Sequence, residues 1–353
     1  MTAENDKGIV IKRELTDKGY YDAKVATHHE LESTVITLSY EDKDDPARSI
    51  TVCIAPDLGS NMFRFQVGEY DIIHCELDLL KRKAFTGNFV LWPLPNRIRD
   101  KRYIYHGQTY SLEGLKRPSE DDILIHGLVF DQQWQYEIPV IGQDFVSVTT
   151  YIDITPESPF YKQYPFDSRL SLNYALRKDG VSINYNVRNQ GSKDMPFGFA
   201  LHPYFSTLSG KDNTLVSVPA NSVMEADNKL LPTGRILPLD GIMYAMFDLR
   251  QPVPIAHLKL DHVYTDLRRN ESAIIEYKKQ AMQLCISASS EFTHVVIFTP
   301  PPEADGPFFC LENQTCSTDA INLHAQGLSK IAHLLEVHPG ETGTGSIEYK
   351  LVF

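Results

Sequence analysis

The sequence predicts an all-β protein, a large single antiparallel β-sandwich with few short helices. Three observations favour this fold class. Apolar and polar residues alternate along much of the chain, helical periodicity is weak, and the 20 glycines and 21 prolines are spread evenly instead of forming one linker. Filling 353 residues with strands of ordinary length requires about 20 strands. Because no linker divides the chain, we expect residues 1–353 to form one domain.

The clearest element is a β-hairpin between residues 170 and 187. Leu170–Leu176 and Val181–Val187 both alternate apolar and polar residues, as does a strand with one buried face. The residues between them, Arg177-Lys178-Asp179-Gly180, contain the Asp-Gly pair that is typical of tight hairpin turns. The sequence therefore predicts two paired strands here.

The remaining elements follow from the same alternation and its interruptions. Further strands are predicted at Leu31–Ser39, Phe145–Ile152, Ala273–Tyr277, Leu284–Ala288, His294–Phe298 and Ser346–Phe353. Helical spacing is best at Ile72–Lys83, and a short turn is expected after Ser317. Two long connections remain, Phe85–His126 and Ser222–Leu260, and connections of this length in a compact β-protein are usually functional or disordered. The first is rich in Trp, Pro, Tyr and Arg, which argues against disorder.

Composition and charge narrow the function classes. The 34 basic and 46 acidic residues give a net charge of −12, which argues against a nucleic-acid or anionic-lipid partner. There is no apolar run long enough for a transmembrane helix, and the first residues are polar, so we expect a cytoplasmic protein that does not bind membranes. The five cysteines are widely spaced without a CxxC pair, which favours free thiols over a zinc site.

Four stretches place polar groups in apolar or aromatic surroundings. They are Leu91–Ile98, Ile125–Leu128, Phe197–Phe205 and Phe308–Gln314. A buried charge is costly unless it is paired, so the polar residues of these stretches are candidates for a functional site.

Each candidate also has an ordinary structural explanation when taken alone. His202 fits a hydrogen-bonded core histidine, and Glu312 fits a solvent-facing strand residue. Arg97 fits a turn residue paired with an acid, and Trp134 fits a core residue. Spacing alone does not decide between these explanations and a site.

Six motifs in order resemble the aldose 1-epimerase (galactose mutarotase) family. They are Asn96-Arg97-Ile98, His126-Gly127, His202-Pro203-Tyr204-Phe205, Leu260–Tyr264, Leu311–Thr315 with Asp319–Asn322, and His338–Glu341. Their order and spacing agree with the family from about Ile50 to the C-terminus. The family often has a second glycine where Leu128 stands and Asn-Leu where Ser206-Thr207-Leu208 stands. These departures bear on which sugar is preferred.

The resemblance implies a fold, an activity and two catalytic residues. The fold would be one large β-sandwich with a sugar cleft on a concave sheet face. The activity would be the interconversion of α and β anomers of a free aldohexose such as galactose or glucose, with no metal or other cofactor. Glu312 would be the base at the C1 hydroxyl and His202 the acid at the ring oxygen. We expect Glu312 to be ionised and His202 protonated near neutral pH, since the ordinary pKa of histidine is near 6.5.

The resemblance also implies the residues that bind the sugar. Arg97, His126 and Asn96 would form hydrogen bonds with sugar oxygens, and Asp261 would accept hydrogen bonds from sugar hydroxyls. Trp134 would form a wall against an apolar sugar face. The partner is thus a small sugar, and the protein is expected to be a monomer or a homodimer.

Two alternatives keep the fold and change the ligand or the role. A hexose-phosphate mutarotase would need a basic cluster, which Arg99, Lys101 and Arg102 could supply. A non-catalytic carbohydrate-binding β-sandwich would bind sugars without exchanging their anomers.

Two further alternatives use other chemistry. A glycosidase would use Asp261 and Glu312 as its carboxylate pair, although carboxylates are abundant in this chain. A metal-dependent isomerase would use His28-His29-Glu30, but adjacent residues of a strand point to opposite faces of the sheet.

Overall fold

Antiparallel strands dominate the computed structural model, which describes residues 9–15, 19–115, 122–301 and 306–353. In chain order, the first strands of these ranges are β1 Ile9–Leu15, β2 Gly19–His28, β3 Ser33–Asp42, β4 Ile50–Ala55, β5 Asn61–Val67, β6 Tyr70–Asp71, β7 Asn88–Leu91, β8 Arg97–Ile98, β9 Arg102–Tyr105, β10 Gln108–Ser111, β11 Leu124–Ile125, β12 Gln135–Tyr136, β13 Val140–Ile141 and β14 Val146–Ile154. The following strands are β15 Ser168–Arg177, β16 Gly180–Asn189, β17 Met195–Phe197, β18 Ala200–Ser206, β19 Thr214–Ser217, β20 Ala220–Ala226, β21 Pro232–Pro238, β22 Val253–Pro254, β23 Asp261–Leu267, β24 Ala273–Tyr277, β25 Met282–Ala288, β26 His294–Phe298, β27 Phe308–Gln314, β28 Leu335–Val337 and β29 Thr342–Val352. The short α-helices are α1 Leu77–Lys81, α2 Ala320–Ala325 and α3 Ser329–Ala332.

The strands of the described residues form three large antiparallel sheets and three two-stranded pairs. A six-stranded sheet has the order β1-β2-β3-β4-β5-β6. A ten-stranded sheet has the order β12-β14-β15-β16-β29-β25-β24-β19-β22, with β13 also paired to β14. A seven-stranded sheet has the order β21-β20-β23-β26-β27-β18-β7. The small pairs are β9 with β10, β8 with β11, and β17 with β28. Packed antiparallel sheets of this kind confirm the predicted fold class.

The main core lies where the inner faces of the sheets meet. The Tyr349 ring of the ten-stranded sheet lies 5.9 Å from the Phe205 ring of the seven-stranded sheet and 6.5 Å from the Phe65 ring of the six-stranded sheet, measured between centroids. Successive side chains of a strand point to opposite faces. Along β18, Leu201 and Phe205 therefore enter the core, whereas His202 faces the other side of the seven-stranded sheet.

The strand predictions are confirmed. The hairpin is formed by β15 and β16, which pair from Ser168↔Asn189 to Arg177↔Gly180. The other six predicted strands correspond to β3, β14, β24, β25, β26 and β29. The turn expected after Ser317 is also present, because α2 begins at Ala320.

The predicted helix at Ile72–Lys83 is wrong for most of its length, since α1 covers only Leu77–Lys81. The start of the segment is used by the sheets instead. The Ile72 N–H donates to the Phe65 carbonyl at 2.8 Å, and Ile73 forms a β-bridge with Phe205. Tertiary pairing therefore overrides a weak local helical pattern.

The two long connections are not irregular either. Phe85–His126 contains β7 to β11, and Ser222–Leu260 contains most of β20 together with β21 and β22. The strands of the first segment have two to four residues each, which is too short for alternation to be visible. Strand β21 begins and ends with proline, which is tolerated because it is an edge strand of the seven-stranded sheet.

Candidate active site

The outer face of the seven-stranded sheet brings the predicted catalytic residues together. Glu312 is on β27, and His202 is on the neighbouring strand β18. The two strands pair with Ala200 opposite Gln314 and Tyr204 opposite Cys310. His202 and Glu312 therefore lie at the same level on adjacent strands, although 110 positions of the numbering separate them.

His202 is fixed by rings on three sides. Its ring stacks on Phe89 with centroids 4.6 Å apart and on Tyr204 with centroids 5.3 Å apart. The His126 ring meets it edge-on at 4.8 Å with an interplanar angle of 82°. This packing sets the plane of the imidazole, and its Nε2 lies 3.1 Å from Glu312 Oε1. Both groups are almost fully buried, with exposed fractions of 5% for His202 and 2% for Glu312.

Gln314 holds the second oxygen of Glu312. Its Nε2 donates to Glu312 Oε2 at 3.0 Å, and Gln314 is fully buried. Residues two apart in a strand share a face, so the sequence contained a signal for this contact. Gln314 lies in the Leu311–Thr315 motif, but the motif alone does not predict this contact.

Burial favours the neutral forms of both catalytic candidates. Desolvation lowers the pKa of His202 to about 3, and Arg97 adds to this effect. Desolvation raises the pKa of Glu312 to about 8, helped by the negative charge of Asp261. Near neutral pH these shifts favour a protonated Glu312 and a neutral His202 in the free protein, which is the reverse of the ionised Glu312 and protonated His202 that the sequence predicted. The ordinary pKa of histidine, near 6.5, does not include the effect of this burial.

Arg97 and Asp261 form a second polar group in the site. Arg97 Nη2 donates to Asp261 Oδ2 at 3.3 Å, and Arg97 Nη1 donates to Asn96 Oδ1 at 3.3 Å. Asp261 is the first residue of β23, so the same sheet carries it. The Arg97 side chain is 15% exposed and that of Asp261 27% exposed, which leaves both accessible to a small ligand.

A short strand pair joins the Arg97 and His126 segments. β8 pairs with β11 with Arg97 opposite Ile125, and the His126 N–H donates to the Asn96 carbonyl at 2.8 Å. Asn96 and His126 have φ values of 59° and 68°, a left-handed conformation that both residue types adopt more readily than most. Position 127 is occupied by glycine, since a Cβ there would lie only 2.7 Å from the Trp92 carbonyl oxygen.

His126 is half-buried next to His202 and is neutral. Burial, with smaller contributions from His202 and Arg97, lowers its pKa well below 6.5. A neutral imidazole can both donate and accept a hydrogen bond, which suits it to a hydroxyl group.

Trp134 does not lie with the polar residues of this site. Its side chain belongs to the main core and is 2% exposed, and its Nε1 donates to the Val129 carbonyl at 3.2 Å. The backbone N–H of Trp134 donates to the Pro56 carbonyl in the turn after β4. Trp134 is thus a core residue, which corrects its assignment as a wall for the sugar.

Both arginines of the predicted basic cluster are paired with acids. Arg99 lies 3.4 Å from Asp319 and 3.6 Å from Asp227. Arg102 Nη2 lies 3.3 Å from Asp100 Oδ2. These two guanidinium groups therefore face carboxylates in the structure.

Neither a metal cluster nor a membrane helix emerges from the described part of the chain. No group of three or more His, Cys, Asp and Glu side chains there has a metal-binding arrangement. In the turn that contains His28–Glu30, His28 Nδ1 accepts from the Leu31 N–H at 3.4 Å. None of the described helices is both long and apolar enough to span a bilayer.

The geometry places groups that can transfer protons beside groups that can bind hydroxyls. A carboxyl group and an imidazole lie 3.1 Å apart. Beside them lie a guanidinium–carboxylate pair and a neutral histidine. Residues 48–350 match the sequence profile of the family described as aldose 1-epimerase. The chain belongs to the aldose 1-epimerase family.

Individual relatives agree with this family. The chain is 29% identical over 235 residues to the uncharacterized protein YihR of Escherichia coli strain K12, covering 66% of this chain and 71% of that protein. It is 29% identical over 193 residues to the galactose mutarotase of Mus musculus, covering 52% of this chain and 51% of the relative. The matched region thus spans about half the length of the galactose mutarotase.

Solved structures share the fold. A galactose mutarotase-like protein from Clostridium acetobutylicum superposes with a TM-score of 0.79 at 21% identity, covering 98% of this chain and 99% of the other. Galactose 1-epimerase from Lactobacillus acidophilus superposes with a TM-score of 0.69 at 16% identity, covering 99% of each chain. At these identities the likeness concerns the fold alone.

Proposed function

We propose that this protein is an aldose 1-epimerase that interconverts the α and β anomers of a free aldohexose such as galactose or glucose. The observation that carries this proposal is the buried contact of Glu312 and His202, 3.1 Å apart, on the outer face of a family-typical sandwich. Opening a sugar ring requires removal of the C1 hydroxyl proton and protonation of the ring oxygen. One carboxylate and one imidazolium are sufficient for both transfers.

In the forward step, the Glu312 carboxylate takes the proton from the C1 hydroxyl. The O–H electron pair becomes the second bond of the C1 carbonyl, and the bond from C1 to the ring oxygen breaks. The ring oxygen takes its proton from His202. The open-chain aldehyde then rotates about C1–C2. As the ring closes on the opposite face, Glu312 returns its proton to the C1 oxygen, and His202 takes a proton back from the hydroxyl that becomes the ring oxygen.

The free pair must shift its proton from Glu312 to His202 before this step. The total charge of the pair is the same before and after the shift, so no proton needs to enter or leave the site. Arg97 favours the ionised carboxylate, since its charge lowers the Glu312 pKa. Sugar hydroxyls that donate to the carboxylate would act in the same direction. Neutral His202 and protonated Glu312 are therefore the resting form of a pair that becomes charged on binding.

The remaining polar residues are assigned to binding. Arg97 and His126 would donate to sugar oxygens, with Asn96 holding the Arg97 guanidinium. Asp261 would accept from sugar hydroxyls while it remains paired with Arg97. These contacts would hold C1 and the ring oxygen against Glu312 and His202.

The pairing of the basic residues disfavours a phosphosugar. A phosphate would have to compete with carboxylates for these cations, because both arginines already face acids. Arg99 faces Asp319 and Asp227, and Arg102 faces Asp100. We therefore favour an unphosphorylated substrate over a hexose phosphate.

Polarimetry tests this proposal. Freshly dissolved α-D-galactose, α-D-glucose and α-D-glucose 6-phosphate would be followed with and without protein in a poorly catalysing buffer. We expect faster relaxation of a free sugar and little effect on the phosphate ester. Calorimetric binding of a sugar without any acceleration would instead favour the carbohydrate-binding module.

A further inference from the structure

Asp319 forms hydrogen bonds with the backbone of both Arg97 and Arg99. It lies between β27, which carries Glu312, and α2. Its N–H donates to the Arg97 carbonyl at 3.0 Å. Its carboxylate accepts from the Arg99 N–H at 3.2 Å and from Arg99 Nε at 3.4 Å. Three hydrogen bonds from one residue thus fix the chain from Arg97 to Arg99.

Asn322 extends this attachment from the first turn of α2. Its Nδ2 donates to Asp319 Oδ1 at 2.7 Å and to the Arg102 carbonyl at 3.0 Å. Its Oδ1 accepts from the Ile104 N–H at 3.2 Å. The whole segment from Arg97 to Ile104 is therefore tied to the segment that follows the Glu312 strand.

This arrangement is unfavourable in isolation. The Asp319 side chain is 1% exposed, and its backbone is left-handed with a φ of 56°. Burying a carboxylate and adopting this conformation both cost free energy. An ordinary surface turn requires neither, which points to a role beyond closing the loop.

We propose that Asp319 is a positioning residue for Arg97. Glu312 and Asp319 belong to one continuous segment, and Asp319 holds the backbone that bears the Arg97 guanidinium. The short segment from Glu312 to Asp319 thereby sets the distance between the Arg97 guanidinium, which is assigned to sugar oxygens, and the Glu312 carboxylate, which is assigned to the C1 hydroxyl. This role rests on the proposed function, because it treats Arg97 as a sugar-binding residue.

Asp319→Asn tests the role, and Asp227→Asn is its matched control. Asp227 also faces the Arg99 guanidinium, at 3.6 Å, but its carboxylate accepts from the N–H groups of Lys229 and Leu231 and not from the backbone of residues 97–99. We expect Asp319→Asn to raise KM for the best free sugar about tenfold with kcat changed less than about twofold. Asp227→Asn should leave both constants within about twofold of the parent values. A fall in kcat with unchanged KM would overturn the proposal.

A double-mutant cycle shows whether the effect passes through Arg97. If it does, Asp319→Asn should raise KM in the parent but change it less than about twofold in an Arg97→Ala background. Equal effects in both backgrounds would mean that Asp319 acts independently of Arg97, and the proposal would fail.

Hydrogen–deuterium exchange gives a readout that does not need activity. Peptides covering residues 96–104 should exchange about tenfold faster in Asp319→Asn and at the parent rate in Asp227→Asn. Unchanged exchange in Asp319→Asn would overturn the proposal. If the parent protein accelerates no sugar, the proposed function fails, and this exchange still decides whether Asp319 fixes the Arg97 segment.

Discussion

His202 Nε2 lies 3.1 Å from Glu312 Oε1, and the imidazole packs against the neighbouring rings of Phe89 and Tyr204. The environment that aligns the two groups also removes water from them. The orientation of the His202 imidazole and its lowered pKa therefore have one cause, since the packed rings both orient the imidazole and disfavour its charged form. In the proposed mechanism, the site holds one proton and moves it between two heteroatoms of the sugar.

The pH profile follows from this shared proton. The pair keeps one proton between the pKa of His202, about 3, and that of Glu312, about 8. Above pH 8 both groups are deprotonated and no acid remains. We expect kcat/KM, corrected for buffer catalysis, to be flat from pH 5 to 7 and to fall above about pH 8. A fall centred near pH 6.5 would show that an unperturbed histidine controls the rate.

Two substitutions should move the alkaline limb in opposite directions. Asp261 raises the Glu312 pKa, so Asp261→Asn should shift the limb to lower pH. Gln314 donates to Glu312 and lowers this pKa, so Gln314→Met should shift the limb to higher pH. The check is kcat/KM against pH for both variants and the parent. Shifts of the same sign would contradict this electrostatic description.

The pH dependence of protein stability should also reflect the buried carboxyl group of Glu312. The Glu312 pKa is raised from 4.5 to about 8, so the folded state keeps a proton that the unfolded chain releases. This contribution is complete below pH 4.5 and is lost as pH rises to about 8. Between pH 7 and 8 His202 is neutral in the folded state and mostly neutral in the unfolded chain, so it opposes this fall only slightly. Thermal unfolding should therefore show a fall in Tm from pH 7 to 8 that is smaller in Glu312→Gln. Equal falls would argue against a raised pKa.

A substitution of Trp134 should affect stability but not sugar binding. Trp134→Phe removes the hydrogen bond to the Val129 carbonyl, and the free energy of unfolding should fall by about 1–3 kcal/mol. Because the ring lies in the core, KM should stay within about twofold of the parent value. Urea titration and steady-state kinetics on the same preparation give both numbers. A large rise in KM with unchanged stability would place the ring at the substrate.

The sequence was most informative where a local pattern decides the structure. The hairpin from Leu170 to Val187 has clean alternation and an Asp-Gly turn, and it forms as predicted. Helical spacing at Ile72–Lys83 was misleading, because sheet pairing at Ile72 and Ile73 is a long-range effect. Very short strands such as β8 and β11 have too few residues to show a period.

For the site, residue types were easier to predict than their protonation. The motifs singled out His202 and Glu312, which the structure brings together, but the burial of His202 depends on Phe89, which is distant in sequence. Gln314 and Asp319 lie within the family motifs, yet the motifs do not show their contacts. The Gln314 contact depends on strand geometry, and the Asp319 contact depends on a loop more than 200 residues earlier in the chain. Trp134 was misplaced because aromatic residues serve cores and sugar sites alike.

The most direct measurement is exchange between the α and β anomers at equilibrium, followed by saturation transfer between the two anomeric protons of D-galactose and of D-glucose in NMR. We expect the parent protein to exchange the anomers of at least one of these sugars. Glu312→Gln and His202→Asn, with circular dichroism matching the parent, should each lose about 10²- to 10⁴-fold in rate. Near-parent exchange in either folded variant would contradict a mechanism in which these two residues move the proton.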